Sequence, residues 1–96
     1  MLSKLPIDLK KISSENIDKE ILRAALIAEL DAINLYEEMA ALVQNKNIKT
    51  VLLDVAKEEK EHVGEFQALL LLHDKEQVEE LKDGKEEVEE LIGKSL

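Results

Sequence analysis

A chain of 96 residues with 22 Asp and Glu against 13 Lys and Arg carries a net charge of −9 with its histidines neutral, which disfavours nucleic acid and anionic lipid and suits cations or basic partners. The absence of Cys excludes disulfides and every thiolate metal site, so a metal ion would have to be held by carboxylate and imidazole. An apolar fraction of 45% is too high for a disordered acidic tail, and with Leu, Ala, Glu and Lys dominant and only Tyr36 and Phe66 aromatic, the composition is helical.

Residues 1–16 lack helical periodicity and contain Pro6 and the Ser13-Ser14 pair, so they read as an N-terminal arm. They hold no apolar run of signal-peptide type, which makes the cytosol the default compartment. Asn16 is placed to cap a first helix, with Asp18 and Glu20 in its opening turn, and the apolar pattern extends from Ile17 to about Gln44. Asn45-Lys46-Asn47 supplies a turn and a second cap, after which periodicity resumes at Ile48 and lasts to about His73. Asp74 followed by Gln77 resembles a capping box opening a short acidic helix, which Gly84 is expected to stop. A last helical turn or two, Lys85 to Ile92, ends at Gly93 and leaves Lys94-Ser95-Leu96 as a tail. The longest uninterrupted apolar run is five residues, against roughly 20 needed to cross a bilayer. The expectation is one all-α domain over 1–96, an antiparallel two-helix hairpin with short C-terminal helices. A hairpin buries one stripe of each helix, so the chain is short of core and should dimerise into a four-helix bundle.

The seams of the two long helices carry the chemistry. Alternating steps of three and four give Leu22, Ala25, Glu29, Ala32, Tyr36, Met39 and Val43 in the first helix, and Ile48, Leu52, Val55, Glu59, His62, Phe66, Leu69 and His73 in the second. A carboxylate on such a face loses hydration worth several kcal/mol unless it is neutralised, paired or bound to a cation. Alone, each Glu could snorkel or pair between chains, and His62 could be a satisfied core histidine. Together they occupy one layer. For a reversal near Lys46, Glu29, Glu59 and His62 fall within about 6 Å along the helix axis. Glu59 and His62, at i and i+3, form a Glu-x-x-His element on one face. Di-iron carboxylate bundles use a Glu from each of two helices and Glu-x-x-His from each of two others. This chain has one of each, so two chains related by a two-fold axis would complete a two-ion centre. His73, at the negative end of its helix, reads as a dipole partner rather than a ligand. Gly64, beside His62, leaves room for a neighbouring backbone.

The segments Ala28-Glu29-Leu30-Asp31-Ala32-Ile33-Asn34-Leu35-Tyr36 and Glu58-Glu59-Lys60-Glu61-His62-Val63-Gly64-Glu65-Phe66 resemble the encapsulated ferritins, with the likeness covering about Ile21 to Gly84. The resemblance implies a two-helix half-ferritin that pairs across a ferroxidase centre, assembles as a ring of dimers and is packaged inside an encapsulin shell. It implies Glu29, Glu59 and His62 as iron ligands and Tyr36 as a neighbour of the site. Of the acidic positions through which such proteins take up metal, Asp31 matches one, while Ala28 is apolar. The tail Leu91-Ile92-Gly93-Lys94-Ser95-Leu96 resembles the short peptides that dock cargo on an encapsulin wall.

Carboxylates with imidazole suit Fe(II), Mn(II) and Zn(II), and the resemblance favours iron. The expected activity is oxidation of Fe(II) with O2, serving iron storage in an encapsulin compartment. Two other readings compete with it. One is a structural acidic helical oligomer or adaptor without metal, and the other a manganese or di-iron peroxide-handling enzyme of rubrerythrin type.

Overall fold

The computed structural model describes residues 16–96, so the expected N-terminal arm, with Pro6, Ser13 and Ser14, lies outside the described residues. Those described form three helices and no strand: α1 (Ile17–Leu42), α2 (Lys46–His73) and α3 (Lys75–Ile92). The fold is all-α, as expected. Asn16 occupies the cap position of α1 and its carbonyl accepts from Glu20 N at 3.0 Å, although its side chain makes no capping hydrogen bond.

Helix α1 stops at Leu42, two residues before the sequence pattern does, because Val43 turns to extended backbone. Asn45 explains the difference. Its Oδ1 accepts from Asn47 N at 2.9 Å and Ile48 N at 3.0 Å, and an N-cap residue needs extended rather than helical dihedrals. The same capture of free amides starts α2 at Lys46 instead of Ile48.

The C-terminal region corrects one expectation. Gly84 does not end a helix; α3 runs unbroken through it for 18 residues. A helical Gly costs about 1 kcal/mol relative to Ala, less than the backbone hydrogen bonds that a break at Asp83-Gly84 would leave unmade at both new helix ends. The stop comes at Gly93, whose φ of +65° is the left-handed conformation open to glycine. There Lys94 N donates to Glu89 O at 3.2 Å, closing a Schellman-type end, and Leu96 N donates to the Glu89 carboxylate at 2.8 Å.

Helices α1 and α2 pack as the antiparallel hairpin, while α3 packs far less against α2. The hairpin core consists of Ile33 and Ala40 on α1 and Ala56 and Leu70 on α2, each pair at heptad multiples, with Ala24 near the start of α1. Small residues at Ala40 and Ala56, 1% and 2% exposed, let the backbones approach closely. The predicted seam is therefore not the line of deepest contact. It lies beside that line on the helix surface, and its members from Leu22 to Val43 and from Leu52 to Phe66 are half-buried. One side of the hairpin thus presents a partly covered stripe with the polar layer at its middle. Large apolar side chains such as Leu30, Val51, Leu69 and Leu72 remain exposed. No described helix is long and apolar enough to cross a membrane.

Candidate metal centre

Glu29 sits mid-way along α1, and Glu59 and His62 one turn apart on α2. The packing of α1 on α2 brings them together: one ligand atom from each lies within 4.8 Å of the others. His62 Nδ1 is 3.4 Å from Glu29 Oε2 and 3.4 Å from Glu59 Oε2. Both carboxylates are largely covered, with side chains 18% and 19% exposed, whereas His62 is 42% exposed. The imidazole marks the open side of the cluster.

The balance of donors is poor. Glu29 Oε2 is buried and has no hydrogen-bond partner; its contact with His62 is close but not aligned as a hydrogen bond. A buried acceptor left unmade typically costs about 1–3 kcal/mol, more when charged. Two covered carboxylates converging on one imidazole form a donor set that fits a divalent cation of intermediate hardness, and the orphaned oxygen is an atom such a cation would satisfy. Glu29, Glu59 and His62 are the one group of three or more potential ligands that meets this geometry among the described residues.

The other expected participants lie outside the cluster. Tyr36 is half-buried on the same stripe, seven residues beyond Glu29, about 10 Å along the axis. Asp31 is half-buried and already engaged in a polar interaction. His73 is exposed in the last turn of α2, the dipole position expected of it. A Cβ built on Gly64 meets nothing within 4 Å, so the space beside His62 is open.

Several polar features had no signature in the sequence. Glu37 pairs with Lys60 at 3.0 Å, with both side chains largely in water, where such pairs contribute little. Glu20 Oε2 is buried without a partner. Asp74, 8% exposed, accepts from Gln77 N at 3.0 Å through Oδ1, the cap expected from the sequence, but its Oδ2 also receives Arg23 of α1 at 2.9 Å, which was not expected. Arg23 and Asp74 are 51 residues apart, and no local pattern links them.

Comparison with known proteins fits the geometry. The Rubrerythrin family model matches residues 20–93, a span that contains all three cluster residues. A ferritin-like–encapsulin shell fusion protein of Pyrococcus furiosus is 68% identical over 74 residues, covering 77% of this chain and 21% of that protein. An encapsulin nanocompartment cargo protein of Myxococcus xanthus is 35% identical over 77 residues, covering 80% of this chain and 58% of that one. The chain thus spans about a fifth of the first relative and somewhat over half of the second. The crystal structure of the encapsulated ferritin domain from Pyrococcus furiosus superimposes with a TM-score of 0.84 at 54% identity, covering 100% of this chain and 98% of that domain. With a family match over most of its length and a full-length structural counterpart, the chain belongs to the rubrerythrin family, among its encapsulated ferritin-like domains.

Proposed function

We propose that this chain is half of a ferroxidase: two copies join their Glu29, Glu59 and His62 clusters around a pair of Fe(II) ions and oxidise them with O2, inside an encapsulin compartment. The observation that carries this reading is the covered Glu29 oxygen without a donor, beside Glu59 and a His62 open on one side. Family membership makes iron the favoured substrate. Fe(II) is consumed in the reaction: two ions lose one electron each to one O2, which takes two protons from solvent and leaves as H2O2.

The residues divide the work by charge. Glu29 and Glu59 are anions in a covered layer, so their attraction to the ion strengthens when its charge rises from two to three. His62 offers a neutral donor and orients at the open edge. Tyr36, on the same stripe, is assigned as a neighbour of the centre, and Asp31 as an acidic group on the approach to it. The relatives named for an encapsulin shell and its cargo motivate a shell partner, reached through residues 91–96. Glu89 holds the Leu96 amide in that segment and would have to release it for an extended docking pose.

Iron titration with oxygen consumption tests the proposal. Binding should saturate at about one iron per chain, as expected for a two-ion centre shared by two chains. Oxidation should outpace buffer, and Zn(II) should inhibit by occupying the carboxylates without redox chemistry. Absence of stoichiometric metal binding would favour the structural oligomer. The rubrerythrin family match supports a second reading, peroxide handling with iron or manganese. Consumption of H2O2 but not O2 at equal metal loading would select it.

A further inference from the structure

Between Gly64 and Gly84 the sequence contains no Gly and no Pro, yet the helix breaks at Asp74, where φ is −142° and ψ is 88°. A continuous helix from Lys46 to Ile92 would be about 70 Å long, while the molecule extends 46, 44 and 19 Å along its principal axes. Side-chain packing of α3 does not explain the bend, because no residue of α3 is buried and Val78, Leu81 and Val88 are each more than 40% exposed. The structure does show a clamp at the corner. One Asp74 oxygen caps α3 through Gln77 N, and the other is held by Arg23 of α1.

We propose that Asp74 is a conformational switch residue: its carboxylate, clamped between the start of α3 and Arg23, holds a bend that the surrounding sequence does not require, and loss of the clamp joins α2 and α3 into one helix. Each break in a helix leaves amides and carbonyls without intrahelical partners. Asp74 compensates for part of that loss in the bent form. Remove it, and continuation through Asp74 restores the missing backbone bonds, because propagating an existing helix is easier than nucleating another. Charge on α1 favours the ionised clamp, with Lys19 adding to the attraction of Arg23. The bend carries the exposed stripe of Val78, Leu81, Val88 and Leu91 away from the axis of the hairpin, so the switch sets where that stripe is presented.

The natural absence of Cys allows a direct distance measurement. Spin labels go on Lys49→Cys and Glu90→Cys, with labelled chains diluted into unlabelled protein of the same variant. In the joined helix the labelled residues are about 62 Å apart; the break at Asp74 makes the separation shorter, and protein carrying the labels and no other substitution supplies that short reference distance. Asp74→Ala should move the main population to the long distance. Arg23→Met, which leaves the cap, should give both distances, with about a tenth or more of chains long. Adding Lys75→Pro to Asp74→Ala should restore the short distance, since Pro is tolerated in the first turn of a helix but blocks continuation from a preceding one. A short distance in Asp74→Ala with undiminished helicity would show that the bend is set elsewhere. A broad distribution with lost helical circular dichroism would show that α3 melts instead, which overturns the proposal equally. Should Asp74→Ala be insoluble, a single short distance in Arg23→Met decides against it.

Discussion

Glu29 illustrates how a site can weaken the protein that carries it. Its buried Oε2 has no donor, and Glu59 brings a second carboxylate to the same imidazole. Glu29→Gln keeps the shape, removes one charge and supplies an N–H that can reach the neighbouring carboxylate. Without metal, the variant should be more stable by about 0.5–1.5 kcal/mol, read as a rise of a few degrees in melting temperature. Its iron affinity should fall at least roughly tenfold, because an anionic ligand is lost. A lower melting temperature in metal-free protein would show that Glu29 is already satisfied there. In the proposed centre, His62→Ala should impair oxidation less than Glu59→Ala does, since the first would remove a neutral donor and the second an anion that would offset the added charge of Fe(III). Asp74 responds to acid with a definite sign. The Gln77 amide, and after it Arg23 and Lys19, hold its carboxyl below the usual carboxylate value against the opposing pull of burial. A depressed carboxylate contributes stability above its unfolded value of about 3.9 and loses it as pH falls through the folded one. The short label distance should therefore hold from neutral pH to about 4 and fade only in stronger acid. Asp74→Ala, already long, should not change.

At the scale of the element, the polar layer depends on how closely α1 and α2 approach. Ala56, 2% exposed, lies three residues before Glu59, so Ala56→Leu would force the helices apart beside the site. Overpacking of this kind typically costs about 1–3 kcal/mol, and here it should also lower iron affinity by separating Glu29 from Glu59. Leu70, 4% exposed, is eleven residues from Glu59; Leu70→Ala should destabilise by about 2–5 kcal/mol with little change in affinity. Thermal melts paired with iron titrations separate the two effects, and equal loss of affinity in both variants would mean that the layer follows global stability rather than local spacing. The contrast between these positions also shows what the sequence could reveal. Glu29, Glu59 and His62 stood out because each interrupts an apolar seam, and their heights followed from the length of two helices and one turn. The rotation of each helix was not legible. Ile33 and Ala40 lie beside the seam of Glu29 and Tyr36, so periodicity alone could not say which stripe faces the partner helix and which faces the open side. The passage of α3 through Gly84 was hidden because a single weak residue competes with a cooperative helix, and the Arg23–Asp74 clamp because it is a long-range contact.

At the scale of the whole molecule, the isolated chain is incomplete in two ways that point to the same surface. Among the described residues its buried apolar core is only Ala24, Ile33, Ala40, Ala56 and Leu70, and the half-covered seam beside this core contains a cluster with one open side. A second copy laid on that stripe would cover both seams and bring four carboxylates and two imidazoles into one layer. Each chain carries a net charge of −9, so without metal the association works against mutual repulsion as well as the desolvation of those carboxylates. Divalent ions reverse the balance locally. An ion that binds the paired state and not the separate chains must stabilise the pair, by about 2.7 kcal/mol at a hundred times its dissociation constant, equivalent to roughly hundredfold tighter association. Light scattering after size exclusion, at low protein concentration with and without Fe(II) under anaerobic conditions, should therefore show dissociation without metal and recovery with it. Zn(II) should restore assembly without supporting oxidation, which separates the structural contribution of the ion from its redox chemistry. Glu59→Ala should abolish the metal dependence while leaving the apolar stripe intact, and by removing two of the four converging charges it should make the metal-free pair more stable than wild type. If protein verified to bind iron keeps the same size and melting temperature with and without it, the cluster binds within one chain and the two-chain centre is wrong.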